Sequence, residues 1–141
     1  MEFSPEEINS INNNSLYNAI GISVEDADGG KARSRLRPNK DFCWPFEEQP
    51  HGGVLFTVMD TTMAWAILTL IDKGYNCATI GLDIQYTRRA LGELFVCHAL
   101  VTQLGGQIEY TRADIFDEKE KLVATGLNWK LLTVRTEVEE G

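Results

Sequence analysis

An uncharged stretch broken by one aspartate constrains the fold of this chain more than any other feature. It runs from Val54 to Ile71, VLFTVMDTTMAWAILTLI, and contains Asp60. At about 3.6 residues per turn the stretch is long enough for about five helical turns, and it is apolar or weakly polar on nearly every face. A helix of this kind belongs in a protein interior, so the sequence predicts a buried core helix.

Asp60 is the first candidate for chemistry, because an unpaired carboxylate in apolar surroundings is costly or takes up a proton. It therefore needs hydrogen-bond donors, water or a partner chain. The alternative is a structural carboxylate, satisfied by the hydroxyl of Thr57 or Thr61 or by a partner subunit.

The tripeptide His51-Gly52-Gly53 directly precedes the stretch. Glycines at a helix entry leave backbone N–H groups accessible, and the partial positive charge of a helix N-terminus suits a carbonyl oxygen that develops negative charge. The glycines could instead serve only a tight helix entry, and His51 could cap backbone groups or orient the site. One helix thus carries an acid–base candidate and a candidate oxyanion site.

Composition limits the partners of the chain. Its 141 residues predict a single domain over 1–141, and a hydrophobic share of 43% is ordinary for a globular protein. The net charge of -8 and the pI near 4.7 oppose binding to nucleic acid or to an anionic membrane. Asp60 near the middle of the long apolar stretch also argues against a membrane span.

The cysteines and the N-terminus favour a cytoplasmic protein without a metal. Cys43, Cys77 and Cys97 are odd in number and contain no CxxC pair, so they predict neither a disulfide framework nor a zinc site. The N-terminus, MEFSPEEIN, lacks the basic and apolar regions of a signal peptide.

A short helix and a hairpin of two strands are predicted before the long helix. Ser4, Pro5 and Glu7 have the layout of a capping box, which predicts a short helix to about Asn13 within an N-terminal element of residues 1–15. Two strands are expected to form a hairpin around the turn cluster at 26–30: Leu16–Val24 and Lys31–Leu36. Residues 38–50 are predicted to be irregular.

Four strand-like segments follow the long helix, after a helix stop at 74–76. Short connections separate them, as in an antiparallel meander, and the acidic tail at 135–141 is expected to fray. The sequence therefore predicts an α+β fold in which an antiparallel sheet surrounds one buried helix. The four predicted strands are Ala78–Thr87, Leu94–Leu104, Gln107–Phe116 and Leu122–Val134.

The spacing of several motifs resembles one family. His51-Gly52-Gly53, Asp60 nine positions beyond His51, the strand Ile84-Gln85-Tyr86 and the segment Val123-Ala124-Thr125-Gly126 carry the resemblance. They are similar to the hotdog-fold acyl-CoA thioesterases of the phenylacetate-pathway type, within the 4-hydroxybenzoyl-CoA thioesterase superfamily. The similarity runs from about Leu16 to Leu132.

The resemblance implies a curved antiparallel sheet around the long helix, and homodimers with active sites at the subunit interface that often pair into homotetramers. Asp60 would activate water or attack the thioester, and the N–H of Gly52 would polarise its carbonyl. Thr79 occupies the strand position where family members can carry a hydroxyl that orients the water. Coenzyme A would enter as part of the substrate, with no separate cofactor.

The sequence departs from the family at one position. Family members often have an asparagine six residues before the motif histidine, where this chain has Pro45. Gln49 could supply an amide instead.

Other residues are candidates for contact with the substrate or CoA, each with a structural alternative. His51 and Gly53 border the helix entry. Asp83 is predicted to share a face with Thr79, either as a second polar member of the site or as a carboxylate neutralised across a dimer interface. Arg88 and Arg89 could bind phosphate or form a solvated turn, and Gly106 could border CoA or only shape a hairpin. Four aromatic residues are expected at the acyl end of the pocket: Phe42, Trp44, Phe46 and Trp65.

The predicted function is hydrolysis of an acyl-CoA to a free acid and CoA. One alternative is a non-catalytic module that binds or senses acyl-CoA. Another is a hotdog dehydratase or hydratase, which would need a histidine paired with a carboxylate in a different motif context.

Overall fold

A computed structural model of the chain describes residues 2–45 and 49–135. Two predicted features therefore lie outside the described residues: Phe46 and most of the acidic tail. The helices are α1 (Pro5–Asn12), α2 (Ser15–Ile20), α3 (Lys40–Cys43) and α4 (Gly52–Leu68). The strands are β1 (Ile22–Asp28), β2 (Lys31–Leu36), β3 (Tyr75–Tyr86), β4 (Phe95–Leu104), β5 (Ile108–Phe116) and β6 (Leu122–Val134).

The six strands form one antiparallel sheet in the order β1-β2-β4-β5-β6-β3, and α4 packs against the face of this sheet. Apolar residues of α4 are fully buried against the sheet, among them Val58, Met59 and Met63. The predicted α+β architecture, an antiparallel sheet around one long buried helix, is confirmed.

The N-terminal capping box is present, since the Ser4 hydroxyl accepts from the amide of Glu7 and the Glu7 carboxylate accepts from the amide of Ser4. The predicted strand at Leu16–Val24 is wrong in its first half, which forms α2. The Asn14 side chain accepts two amide hydrogen bonds at the start of α2, and Gly21 ends the helix with a φ of 100° that favours glycine.

The predicted four-strand meander is wrong for its first strand. Strands β4, β5 and β6 follow one another in the sheet, but β3 pairs with β6 and forms an edge. The connection from Thr87 to Leu94 therefore runs from β3, on one side of the β5–β6 pair, to β4 on the other side. One long edge of the sheet is left without a partner strand within the described chain.

A bulge in β3 reverses which side of the sheet its residues face. The register passes from Thr79, opposite Lys130, to Gly81, opposite Trp129, so Ile80 is the extra residue. Thr79 contacts the helix side, whereas Asp83 pairs with exposed Leu127 on the outer side. The prediction that Asp83 shares a face with Thr79 is therefore wrong.

Candidate active site

Asp60 is anchored through one of its two carboxylate oxygens. The Thr79 hydroxyl donates to Oδ1 at 2.6 Å, and the Lys130 ammonium donates to the same atom at 2.8 Å. The second oxygen, Oδ2, has no hydrogen-bond partner in the described part of the chain. Because the Asp60 side chain is 36% exposed, that oxygen is available to water or a ligand.

Lys130 is a site residue that the sequence did not reveal. Its side chain is only 2% exposed, and its ammonium also donates to the Thr79 hydroxyl. Neither Thr57 nor Thr61 satisfies Asp60; the Thr57 hydroxyl donates to the carbonyl of Gly53 instead. A missed signal was that Lys130 lies on the same face of the strand as Ala124 and Gly126. The small size of these two residues permits close approach of the helix.

Two further ionisable groups lie close to Asp60 and Lys130. Burial raises the pKa of the Cys77 thiol; the charge of Lys130 opposes this rise, and those of Asp60 and Glu109 add to it. Burial also raises the pKa of Glu109, with partial opposition from the Gly105 amide. Glu109 lies directly opposite Lys130 in the pairing of β5 with β6.

The entry of α4 is built by the His-Gly-Gly motif. His51 is the N-cap, and its Nδ1 accepts from the amide of Gly53 at 2.8 Å, which confirms the capping alternative. A Cβ at position 53 would lie 2.9 Å from the same His51 nitrogen, so glycine is needed for this cap. The amide of Gly52 has no acceptor among the residues the structure describes, and remains available at the helix N-terminus.

A cleft of about 390 Å³ opens beside Gly52. Gln49, Arg88 and Arg89 line it, and the Arg89 Nε donates to the Gln49 Oε1 at 2.9 Å. Tyr86, which belongs to a motif of the resemblance but was not predicted as a site residue, donates its hydroxyl to the carbonyl of Gly52 at 2.7 Å. The structure thus brings together four of the predicted residues: Gln49, Gly52, Arg88 and Arg89.

Gly52 and Asp60 do not meet within one chain. They lie eight residues apart on one continuous helix, which corresponds to about 12 Å along the axis at 1.5 Å per residue. A reacting carbonyl would have to lie about 3 Å from both the amide donor and the attacking atom. No single thioester can satisfy both conditions inside one copy of this chain.

Three other predicted residues lie away from the Gly52 cleft. Gly106 lies in the hairpin between β4 and β5, near the paired residues Glu109 and Lys130. Phe42 is 77% exposed, and Trp65 packs edge-on against Phe3 while its indole donates to Tyr17. Trp65 is therefore occupied by the N-terminal segment.

Within the described ranges, 2–45 and 49–135, no three histidine, cysteine or acidic side chains gather as a set of metal ligands. None of the helices there has the length and apolar character needed to cross a membrane.

Comparison with known proteins gives consistent matches. Residues 51–124 match the sequence profile of the thioesterase superfamily. An esterase candidate of Halobacterium salinarum is 32% identical over 126 residues, which span 82% of this chain and 83% of that protein.

Two solved structures have a similar fold. A thioesterase of Haemophilus influenzae superposes with a TM-score of 0.85 at 20% identity, over 98% of this chain and 96% of that one. The PaaI protein of the Escherichia coli phenylacetic acid degradation operon gives a TM-score of 0.77 at 21% identity, over 91% and 92% of the two chains.

Proposed function

This chain belongs to the thioesterase superfamily, and we propose that it hydrolyses an acyl-CoA to a free acid and CoA, with Asp60 as its principal catalytic residue. Family membership supports thioester hydrolysis as the activity. The observation that carries the assignment to Asp60 is its geometry: Oδ1 is held by Thr79 and Lys130, whereas Oδ2 is unengaged by the described residues. A carboxylate fixed at one oxygen and open at the other can act on a bound water or on a thioester carbon.

The proposed reaction passes through a tetrahedral intermediate. In the general-base form, Oδ2 of Asp60 takes a proton from water as the water oxygen attacks the thioester carbon. The carbonyl oxygen gains negative charge and accepts a hydrogen bond from the Gly52 amide at the helix N-terminus. Collapse breaks the carbon–sulfur bond and releases CoA as a thiolate. In the nucleophilic form, Asp60 attacks the thioester carbon, and the carbon–sulfur bond breaks to release CoA as a thiolate. Water then hydrolyses the mixed anhydride to the free acid and restores Asp60.

The hydroxyl of Thr79 has a different role from the one expected. Its single proton is donated to Asp60, so it cannot also donate to a water molecule. We therefore assign it to holding the carboxylate rather than to orienting the nucleophile.

The active site needs two copies of the chain, because Gly52 and Asp60 are about 12 Å apart along α4. The unpaired edge of β3 offers a way to bring them together, since an exposed strand edge readily pairs with another chain. We assign each active site to Gly52 of one protomer and Asp60 of the other, in a homodimer joined along β3.

One register of this pairing satisfies both sites. If Asp83 lies opposite its own copy, Thr79 lies across from Tyr86 of the other chain once the extra residue Ile80 is counted. Thr79 contacts Asp60, and Tyr86 contacts Gly52, so the two halves of the site come together. The Gln85 amide donates to Asp83 at 3.0 Å and offsets part of the repulsion at the two-fold axis.

The outer face of the sheet offers a second contact surface for a homotetramer. It exposes a group of large apolar side chains that one isolated chain leaves in water: Ile80, Tyr110, Leu127, Trp129 and Leu131. Contiguous apolar patches of this kind are typical of protein interfaces.

The cleft beside Gly52 is the proposed entrance for CoA. Arg88 and Arg89 provide cationic donors suited to phosphate oxygens, in a protein whose net charge is otherwise negative. Gln49 adds an amide nitrogen with no partner in the described chain. This amide would stand in for the asparagine of the family, whose position is occupied by Pro45 in this chain. Binding of the CoA phosphates here would direct the thioester toward the amide of Gly52.

The test is free-thiol release by the purified protein across aromatic and short-to-long aliphatic acyl-CoAs. Asp60→Asn should reduce kcat about 100-fold or more. Asp114→Asn is the matched control, because Asp114 is also a carboxylate that accepts from a threonine hydroxyl, that of Thr125, at 2.6 Å. The Asp114→Asn variant should hydrolyse acyl-CoA at the wild-type rate. Tight binding of acyl-CoA without thiol release would contradict hydrolysis and favour the non-catalytic binding module.

A further inference from the structure

Lys130 takes no part in the steps above, yet its buried ammonium lies 2.8 Å from Oδ1 of Asp60. We propose that Lys130 is a positioning residue for hydrolysis, which fixes the orientation of Asp60. This inference rests on the proposed function, because it concerns the same carboxylate.

The burial of Lys130 makes Asp60 its necessary counter-ion. At 2% exposure the lysine cannot place its ammonium in water, and a buried cation without a partner is strongly unfavourable. The ammonium has two acceptors, Oδ1 of Asp60 and the hydroxyl of Thr79. The described residues contain no ion pair between Lys130 and Glu109.

The three groups form a closed triangle. Lys130 donates to Thr79 and to Asp60, and Thr79 donates its own proton to Asp60. Rotation of the Asp60 carboxylate would break two hydrogen bonds at once, one of them to a cation. The triangle therefore holds Oδ2 on the exposed side, where the reacting water or thioester must be.

The other polar groups around Lys130 do not replace it as a cation. Cys77 from β3 and Glu109 from β5 face the pair, and neither a thiol nor a carboxyl group can supply positive charge. Thr111 and Asn128 line the same inner face, with side-chain atoms that have no partner in the described chain. Without Lys130, Asp60 would face acidic and neutral groups only.

The test compares the kinetics of Lys130→Met with those of the wild-type protein. Methionine keeps most of the length of the side chain and removes the charge. We expect kcat to fall about tenfold to a hundredfold with an unchanged KM, because Lys130 holds the reacting carboxylate and does not touch the substrate. Lys130→Arg, which keeps a cation, should recover most of the wild-type kcat. The exposed Lys121→Met is the matched control and should change none of these values.

Wild-type kcat in folded Lys130→Met would overturn the inference. So would a kcat that falls in Glu109→Gln and not in Lys130→Met. If Asp60→Asn itself keeps full activity, the proposed function fails; if Asp60→Asn is inactive while Lys130→Met is normal, only this inference fails.

A second measurement covers the case in which Lys130→Met does not fold in the wild-type background. Asp60→Asn leaves the ammonium buried without its carboxylate, so its Tm should be below that of the wild type. The double variant Asp60→Asn/Lys130→Met removes the orphaned charge and should have a higher Tm than Asp60→Asn. A double variant no more stable than Asp60→Asn would contradict the pairing on which the inference depends.

Discussion

Gly52 and Asp60 lie on the same helix, yet about 12 Å separates them along its axis, so one copy of the chain holds the two halves of the proposed active site apart. Each half has its own support: Tyr86 and His51 hold the helix entry, and Thr79 and Lys130 hold the carboxylate.

The backbone amide of Gly52 can be removed without breaking the helix. Position 52 is the first residue of α4, where proline is tolerated, and His51 has φ -58° and ψ 138°, which suit a residue before proline. Gly52→Pro should therefore fold and lower kcat about 100-fold or more, because the oxyanion loses its donor.

The control for that change is Gly52→Ala, which keeps the N–H. Its added Cβ would lie 3.3 Å from the Tyr86 ring, an exposed side chain that can shift. Equal activity in Gly52→Pro and Gly52→Ala would show that the amide does not stabilise the transition state. Circular dichroism of both variants would verify that α4 is intact.

The proposed dimer register can be trapped by a disulfide. Asp83→Cys, in a background with Cys77 replaced by serine, should form an intermolecular disulfide under mild oxidation, because position 83 lies opposite its own copy. Gln85→Cys on the same strand face is the control. The two Cys side chains at position 85, one from each chain, would be about four residues apart along the strands, or roughly 13 Å, and should not cross-link. Cross-linking at position 85 and not at 83 would exclude this register.

Arg88 is expected to act on the phosphates of CoA and not on the reaction itself. Arg88→Ala should raise KM for an acyl-CoA about tenfold, as expected for one lost charged contact, with little change in kcat. The same acyl group on N-acetylcysteamine lacks the phosphates, so its kcat/KM should be equal in variant and wild type. A similar loss with both substrates would argue against phosphate recognition by Arg88.

Stability should depend on pH through Glu109. Burial raises its pKa in the folded state, so folding favours the protonated acid. The stability gained below the ordinary pKa is lost as pH rises through the raised value. Glu109→Gln should abolish this loss. Its Tm should therefore rise relative to that of the wild type as the pH increases above the ordinary glutamate pKa of about 4.3. Glu6→Gln, at an exposed helix position, should track the wild type; a parallel pH dependence in Glu109→Gln would refute the assignment.

The sequence predicted the long helix and the antiparallel sheet, because each depends on local patterns, whereas the catalytic role of Asp60 stays a prediction. It did not identify Lys130. Apolar residues alternate with polar ones along β6, and this alternation does not say which set of residues faces the core. In the structure Lys130 is buried and Trp129 is 39% exposed. A strand pattern gives the period and not the side.

The position of Asp83 was missed for a related reason. Alternation places Thr79 and Asp83 on one face only if the strand is regular, and the bulge at Ile80 changes the phase between them. The anchors of Asp60 come from β3 and β6, 19 and 70 residues away along the chain. Such contacts depend on tertiary packing, which short motifs do not encode.

The measurement that tests the central claim most directly is thiol release from an acyl-CoA by mixed dimers of Gly52→Pro and Asp60→Asn. Each variant alone should be nearly inactive. If Gly52 and Asp60 act across the interface, a mixed dimer has one intact site and one doubly defective site. Random mixing of equal amounts should then restore roughly a quarter of the wild-type activity, from half the dimers with half their sites intact. No recovery in verified mixed dimers would contradict a site shared between two chains.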